Sequence, residues 1–155
     1  MAAPMWLRWA VLAALILSAS VLPATAKDPK AWQAYTSGNY ELAERLWRPQ
    51  AERGDANAAF GLGVIAESRG DEADAARWYE TAAMGGLAAA QVLIGRRYAE
   101  GLGVVRDPIL AYAWFTKAIE SGVPNAVKVR DALAATMTPE AIEEAEAVAA
   151  GLAPS

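Results

Sequence analysis

Two residue types that carry much of protein chemistry are missing from this sequence: it has neither histidine nor cysteine. Zinc sites built on those ligands and nucleophiles activated by an imidazole are therefore excluded, and no disulfide can form. The nearest thing to a reactive cluster is the acidic run Glu140, Glu143, Glu144, Glu146. Glu140 and Glu144 share a helical face, a spacing at which like charges repel slightly, and the ordered ligand pattern of a calcium loop is absent. The run reads as the wet face of a helix. Gly101-Leu102-Gly103-Val104 is glycine-rich, but it lacks the Gly-Lys-Ser/Thr ending of a phosphate cradle and follows a helical pattern instead of a strand. No catalytic, cofactor-binding or metal-ligating residue is assigned.

What remains is chemistry of recognition, and it depends on the elements that present it. One unit recurs along the chain. Ala43, Ala75 and Ala111 are spaced by 32 and then 36 residues, and the series Trp47, Tyr79, Phe115, the series Gly54, Gly86, Gly122 and the pair of steps Ala58, Ala90, Ala126 keep the same register. Within a unit, Ala90, Ile94 and Tyr98 mark one helix face; Asp107-Pro108 suits an N-cap followed by the first helical turn; and Ala111, Trp114, Phe115, Ala118 and Ile119 form a second apolar stripe. The earlier unit repeats this plan with Ala58, Leu62, Ala66 and then Ala75, Trp78, Tyr79, Ala82, Ala83, joined by a shorter turn at Gly70-Asp71. The spacing predicts eight helices, at 29–36, 39–52, 56–68, 72–84, 88–100, 108–121, 124–135 and 139–150. Pro49 falls inside the second, as a bend near its end or as the point where it stops short at Arg48. Neither stripe of a helix pair can be hidden by the pair alone. Stacked pairs bury alanine and glycine against the aromatics, giving an all-α solenoid with a curved inner surface.

The first residues follow a different rule. A weakly basic start with Arg8, an apolar run from Ala10 to Leu22 and the small residues Ala24-Thr25-Ala26 have the layout of a secretory signal peptide cleaved after Ala26. Thirteen helical residues reach about 20 Å, short of a hydrocarbon layer of roughly 30 Å. An uncleaved anchor helped by Trp6 and Trp9, or a buried first helix, are the other readings. Domain limits are thus 1–26 for the leader and 27–155 for the repeat domain, with complete units near 54–86 and 86–122 and partial or degraded ones at 29–54 and 122–150. Loss of Arg8 with the leader leaves 13 basic and 18 acidic residues, a net charge of about −5. That balance argues against a nucleic acid partner.

Residues 90 to 122, with Ala90, Ile94-Gly95, Tyr98, Gly101-Leu102-Gly103-Val104, Asp107, Ala111, Trp114-Phe115, Lys117-Ala118 and Gly122, resemble one complete Sel1-like repeat, a relative of the tetratricopeptide repeats. Residues 54–86 are similar but carry Ala66 where the family has an aromatic and lack the long glycine loop. In the closing unit Arg130-Asp131 replaces the Leu-Gly step. The resemblance implies a right-handed α–α solenoid and an adaptor that holds one or more other proteins, in a bacterial periplasm or secreted, without stable membrane insertion once the leader is gone. A hydrolase of cell wall or related polysaccharide, and a chaperone-like holdase, are the alternatives. The penicillin-binding or β-lactamase activity of cysteine-stapled relatives is not carried over, since the cysteines are missing.

Partner contacts are expected from the first helix of each pair, off its buried stripe: Asn57 and Glu67 in one layer, Gln91, Arg96 and Arg97 in the next, with Arg96 or Arg97 as a charge-paired anchor. Trp32 and Tyr35, in a first helix with no layer before it, are read either as a cap or as an exposed binding edge. Tyr112 steps off its stripe, toward the surface or onto a neighbouring loop.

Overall fold

Most helix starts in this chain are marked by a short polar side chain that fills the first free backbone donors. Asp28, Asn39, Asp55, Asp71, Asp107 and Thr138 each accept from N–H groups two or three residues ahead. The computed structural model describes residues 28–152, and these form eight helices and no strand. They are α1 (Pro29–Thr36), α2 (Tyr40–Ala51), α3 (Ala56–Ser68), α4 (Glu72–Met84), α5 (Ala88–Glu100), α6 (Pro108–Glu120), α7 (Ala126–Ala134) and α8 (Pro139–Gly151). The expected leader, 1–26, lies outside the described residues.

The sequence boundaries hold to within two residues, with two informative details. Pro49 does not end α2, which runs on to Ala51. The first helix of the last unit starts two residues later than expected, after a turn at Pro124-Asn125, and buries only Ala126.

Successive helices pack antiparallel-neighbour fashion through α6, as α1/α2, α3/α4 and α5/α6 pairs with contacts from each pair to the next. The closing unit departs from this plan: α7 and α8 both pack on α6 instead of chiefly on each other. At the place held by Trp78 and Trp114 in α4 and α6, seven residues after the N-cap, α8 has Ala145, and it rests on α6 through buried Ala145 and Ala149.

Inside the stack, aromatic rings lie on helix backbone. A Cβ built on Gly63 would stand 2.6 Å from two ring carbons of Tyr79, and one on Gly95 would stand 2.9 Å from Phe115. These are the same contact in successive units. Between layers, Trp47 of α2 covers Gly61 of α3 in the same way, at 2.6 Å. Both Tyr79 and Phe115 are buried, as the layered reading of the sequence requires. Tyr112 is buried too, beneath the Arg130 guanidinium at 5.6 Å from its ring, so it packs on α7 and is not a surface residue.

Gly63→Ala should lower unfolding free energy by about 1–3 kcal/mol, because the added methyl forces Tyr79 off its seat. Gly151→Ala, with nothing within 4 Å of its new Cβ, should be neutral or slightly stabilising. Urea titration of the two variants checks this, and equal losses at both positions would contradict it.

Candidate functional site

The polar residues singled out from the sequence separate into an interior set and a surface set. Arg97 is interior. Its side chain is 1% exposed and belongs to a cluster that joins two units. Its Nη2 donates to Glu67 Oε1 at 2.8 Å, its Nη1 donates to Glu72 Oε2, and its guanidinium lies 5.1 Å from the centre of the Tyr79 ring. Tyr79 in turn donates its hydroxyl to the second oxygen of Glu67 at 2.8 Å. Glu67 ends α3, Glu72 opens α4 and Tyr79 sits in mid-α4, so one arginine of the later unit ties three places in the earlier one.

The glycine loop after α5 completes this junction. Gly101 and Gly103 both have left-handed φ, 75° and 72°. A Cβ on Gly103 would fall 1.9 Å from the carbonyl oxygen of Glu72. Only glycine permits that approach of loop to helix start. The expected projection of Arg97 from the solenoid is therefore corrected: it points inward, because two carboxylates and an aromatic face offer it a better site than water. Gln91 is corrected likewise. It is 3% exposed and donates to the Ala83 carbonyl at the end of α4, at 3.3 Å. Glu67 is half-buried, but both of its oxygens are engaged by Arg97 and Tyr79.

Asn57 and Arg96 are the surface set. Asn57, Phe60 and Val64 follow one another at helical spacing on α3, and all are half-buried. Ala89, Val92 and Arg96, each 32 residues later, repeat that stripe on α5 and are half-buried as well. Arg96 enters no ion pair among the described residues, and its buried Nε has no hydrogen-bond partner. Phe60, Val64 and Val92 were not singled out from the sequence. The signal for them was present, since they lie three and seven residues from Asn57 or three from Ala89.

Trp32 and Tyr35 are half-buried and joined to the first layer. Trp32 meets Trp47 edge-on at 5.2 Å between ring centres, and Tyr35 lies 5.8 Å from Trp47 and 5.5 Å from exposed Tyr40. They cover the outer side of Trp47 and leave part of each ring to solvent. On the other helix row, Trp78 is flanked by the Arg48 and Arg77 guanidiniums, 5.7 and 4.7 Å from its ring, and donates to Asp74 at 3.2 Å. Glu44 bridges the layers there, accepting from Arg48 in its own helix and from Arg69 at the end of α3, at 2.7 Å for the latter. The hydrogen bond from Arg69 is the main cause that holds the Glu44 carboxyl below its ordinary value.

Two tyrosines are pushed up. Burial first, then the charge of Glu67, moves Tyr79 well above its ordinary value. Burial and the hydrogen bond donated to Glu80 at 2.9 Å push Tyr98 up to about 12. The acidic residues Glu140, Glu143, Glu144 and Glu146 are all exposed.

Comparison with known proteins gives a consistent picture. Residues 56–87 and 88–123 each match the Sel1 repeat. Among solved structures, c5321, a protective antigen present in uropathogenic Escherichia coli strains and displaying an SLR fold, is 31% identical with a TM-score of 0.67 over 83% of this chain. A Sel1 repeat protein from Oxalobacter formigenes is 37% identical with a TM-score of 0.56, over 64% of this chain and 81% of that one. Chitin synthase regulatory factor 3 of Schizosaccharomyces pombe is 40% identical over 55 residues. This chain spans only 31% of the c5321 chain and 6% of the fission yeast protein.

Glu67→Gln with Glu72→Gln should cost about 3–5 kcal/mol, since it strands a buried guanidinium, and adding Arg97→Met should restore most of that loss. Chemical denaturation of the double and triple variants decides; no recovery in the triple would show that the charges are not the cause. A second expectation concerns pH. A group whose folded pKa is raised contributes stability that is full below its unfolded value and is lost as pH climbs through the folded one. Tyr98 and Tyr79 should therefore make the protein lose stability between pH 10 and about 12. Tyrosinate absorbance followed together with circular dichroism should show these two ionising only as helix is lost.

Proposed function

The chain belongs to the Sel1 repeat family, and on that premise we propose that it is a non-catalytic adaptor of the bacterial cell envelope, binding a partner protein along the first-helix row of its solenoid. Sel1 repeats mediate protein–protein interaction. The observation that carries the finer reading is the stripe of Asn57, Phe60 and Val64 continued by Ala89, Val92 and Arg96. It runs across two layers, mixes apolar surface with an arginine that has no ion-pair partner among the described residues, and needs nothing from the interior to be complete. Arg97 is committed to holding the layers in register, which leaves Arg96 as the anchor for a partner's carboxylate. A planar guanidinium with half its surface already dry loses little water on docking and offers paired donors.

Export supports the envelope reading. It rests on the layout of residues 1–26, with its apolar run and Ala24-Thr25-Ala26, and on the bacterial sources of the two structural relatives. The fission yeast relative is named as a regulatory factor of an enzyme, which fits a partner-binding role.

A photo-crosslinking residue placed at Val92 in the full-length protein, expressed in its native cell, should capture one stoichiometric partner, while the same residue at exposed Val105 should not. Arg96→Ala should weaken that complex about tenfold with the fold unchanged. This chain, isolated from the same cells, should itself begin at Lys27 by intact mass. Equal capture at both positions, or many unfolded clients, would replace this reading with a holdase; an intact leader would remove the export step.

A further inference from the structure

The seam between the first two layers is built from a set of positions that recurs 32 residues earlier on the first layer, where no preceding helix covers it among the described residues. The cleft where the second layer meets the first is lined by Leu62, Ile65, Ala66, Arg69, Asp71, Asp74 and Trp78, and Glu44 of α2 reaches into it. An open notch at the first layer is lined by Lys30, Gln33, Ala34, Ser37, Asn39, Leu42 and Leu46. Every residue of the notch, moved on by the repeat length of 32, becomes a residue of the cleft. The notch is thus the seat for the second helix of a preceding unit, presented without that helix among the described residues.

Two of the three filled seams show what such a helix offers; in the third, α4 has buried Ala76 at the equivalent place. Glu44 stands five residues after its N-cap Asn39 and meets Arg69 in the next layer. Tyr112 stands five residues after its N-cap Asp107 and meets Arg130 in the next layer. In the alanine register that aligns Ala58 with Ala126, Arg130 corresponds to Leu62, and therefore to Lys30 in the notch. The Tyr112 seam thus maps the receiving position onto Lys30 and the Glu44 seam maps it onto Ser37; an acid five residues after the N-cap of the incoming helix suits both.

The last helix of the chain meets that requirement. α8 is capped by Thr138, and five residues on is Glu143, exposed. Its Ala145 and Ala149 are turned onto α6, as Trp78 and Trp114 are turned toward the layer before them, so Glu143 lies on the side from which Glu44 serves the following layer. α8 carries four glutamates and no basic residue; the notch has Lys30 and Asn39, Ser37 and Gln33 around Ala34, Leu42 and Leu46, with no acid among its lining residues. The geometry points to a second copy of this chain as the occupant: α8 of one molecule seats in the α1/α2 notch of the next, with Glu143 facing Lys30. The contact joins two different surfaces, so it does not close on itself in a dimer and continues head to tail. It leaves the Arg96 stripe free and does not depend on the partner-binding reading above.

Sedimentation equilibrium of the full chain over a concentration series tests it. The weight-average mass should rise with concentration above that of the monomer. Leu46→Arg, which blocks the notch, and Glu143→Lys, which blocks α8, should each weaken association at least tenfold while circular dichroism and melting stay unchanged. Mixed one to one, the two variants should form a heterodimer that stops at two, since only one sound notch and one sound α8 remain. Lys30→Glu combined with Glu143→Lys should associate within about threefold of the parent, the ion pair being reversed but kept. A parent chain that stays monomeric, as it would if residues 1–27 filled the notch, overturns the proposal. So does association that survives both blocking variants, or a mixture that fails to pair.

Discussion

A ring can lie flat on a helix only where the helix has no side chain beneath it. Tyr79 on Gly63 and Phe115 on Gly95 are that constraint met twice, and Trp47 on Gly61 meets it between layers. Each contact fixes both the distance and the rotation between two helices, because the ring fills the space left by one missing Cβ and no other. Alanine at the neighbouring positions then lets the axes stay close along their length.

The charged cluster around Arg97 works on top of that packing. Three side chains of the first complete unit, from α3 and α4, converge on one guanidinium of the second, and the glycine loop brings Leu102 and Gly103 against the start of α4. Burying an arginine is favourable only with countercharge close at hand; here Nη1 and Nη2 are engaged, while the buried Nε has no partner. Here two carboxylates, both partly in solvent, supply the charge, and the Tyr79 hydroxyl holds one of them in position. The result is a junction that resists sliding of one unit along the other, which apolar seats alone oppose only weakly.

Helix positions were legible from the sequence because caps, glycines and the 3.6-residue stripe agree at nearly every boundary. The layered packing was legible from the aromatic and glycine series. Direction was not. Arg96 and Arg97 are adjacent, of one type and on one helix, yet one faces outward and the other inward. What separates them is the location of Glu67 and Glu72, 30 and 25 residues away, and that is a tertiary fact. Gln91 was misplaced for the same reason, its partner being the Ala83 carbonyl across a turn. Trp114 shows the opposite case: Trp78 finds Asp74 four residues back, whereas Trp114 finds Leu110 there, and its buried Nε1 has no partner. The closing unit was read as a pair and is instead two helices on one, since Arg130-Asp131 removes the apolar step that α7 would need to receive α8.

Repeat proteins commonly gain and lose units by duplication or excision, as if each were a module complete in itself. The cluster around Arg97 breaks that independence here. Its cation belongs to residues 88–123 and its anions to residues 56–87, so removing the earlier segment would leave a cation walled in without a counterion, and copying the later one in tandem would set a second Arg97 against Ala99 and Pro108, where Glu67 and Glu72 should stand. The two units therefore depend on each other for their charge balance, and neither can be altered in number without unpairing Arg97.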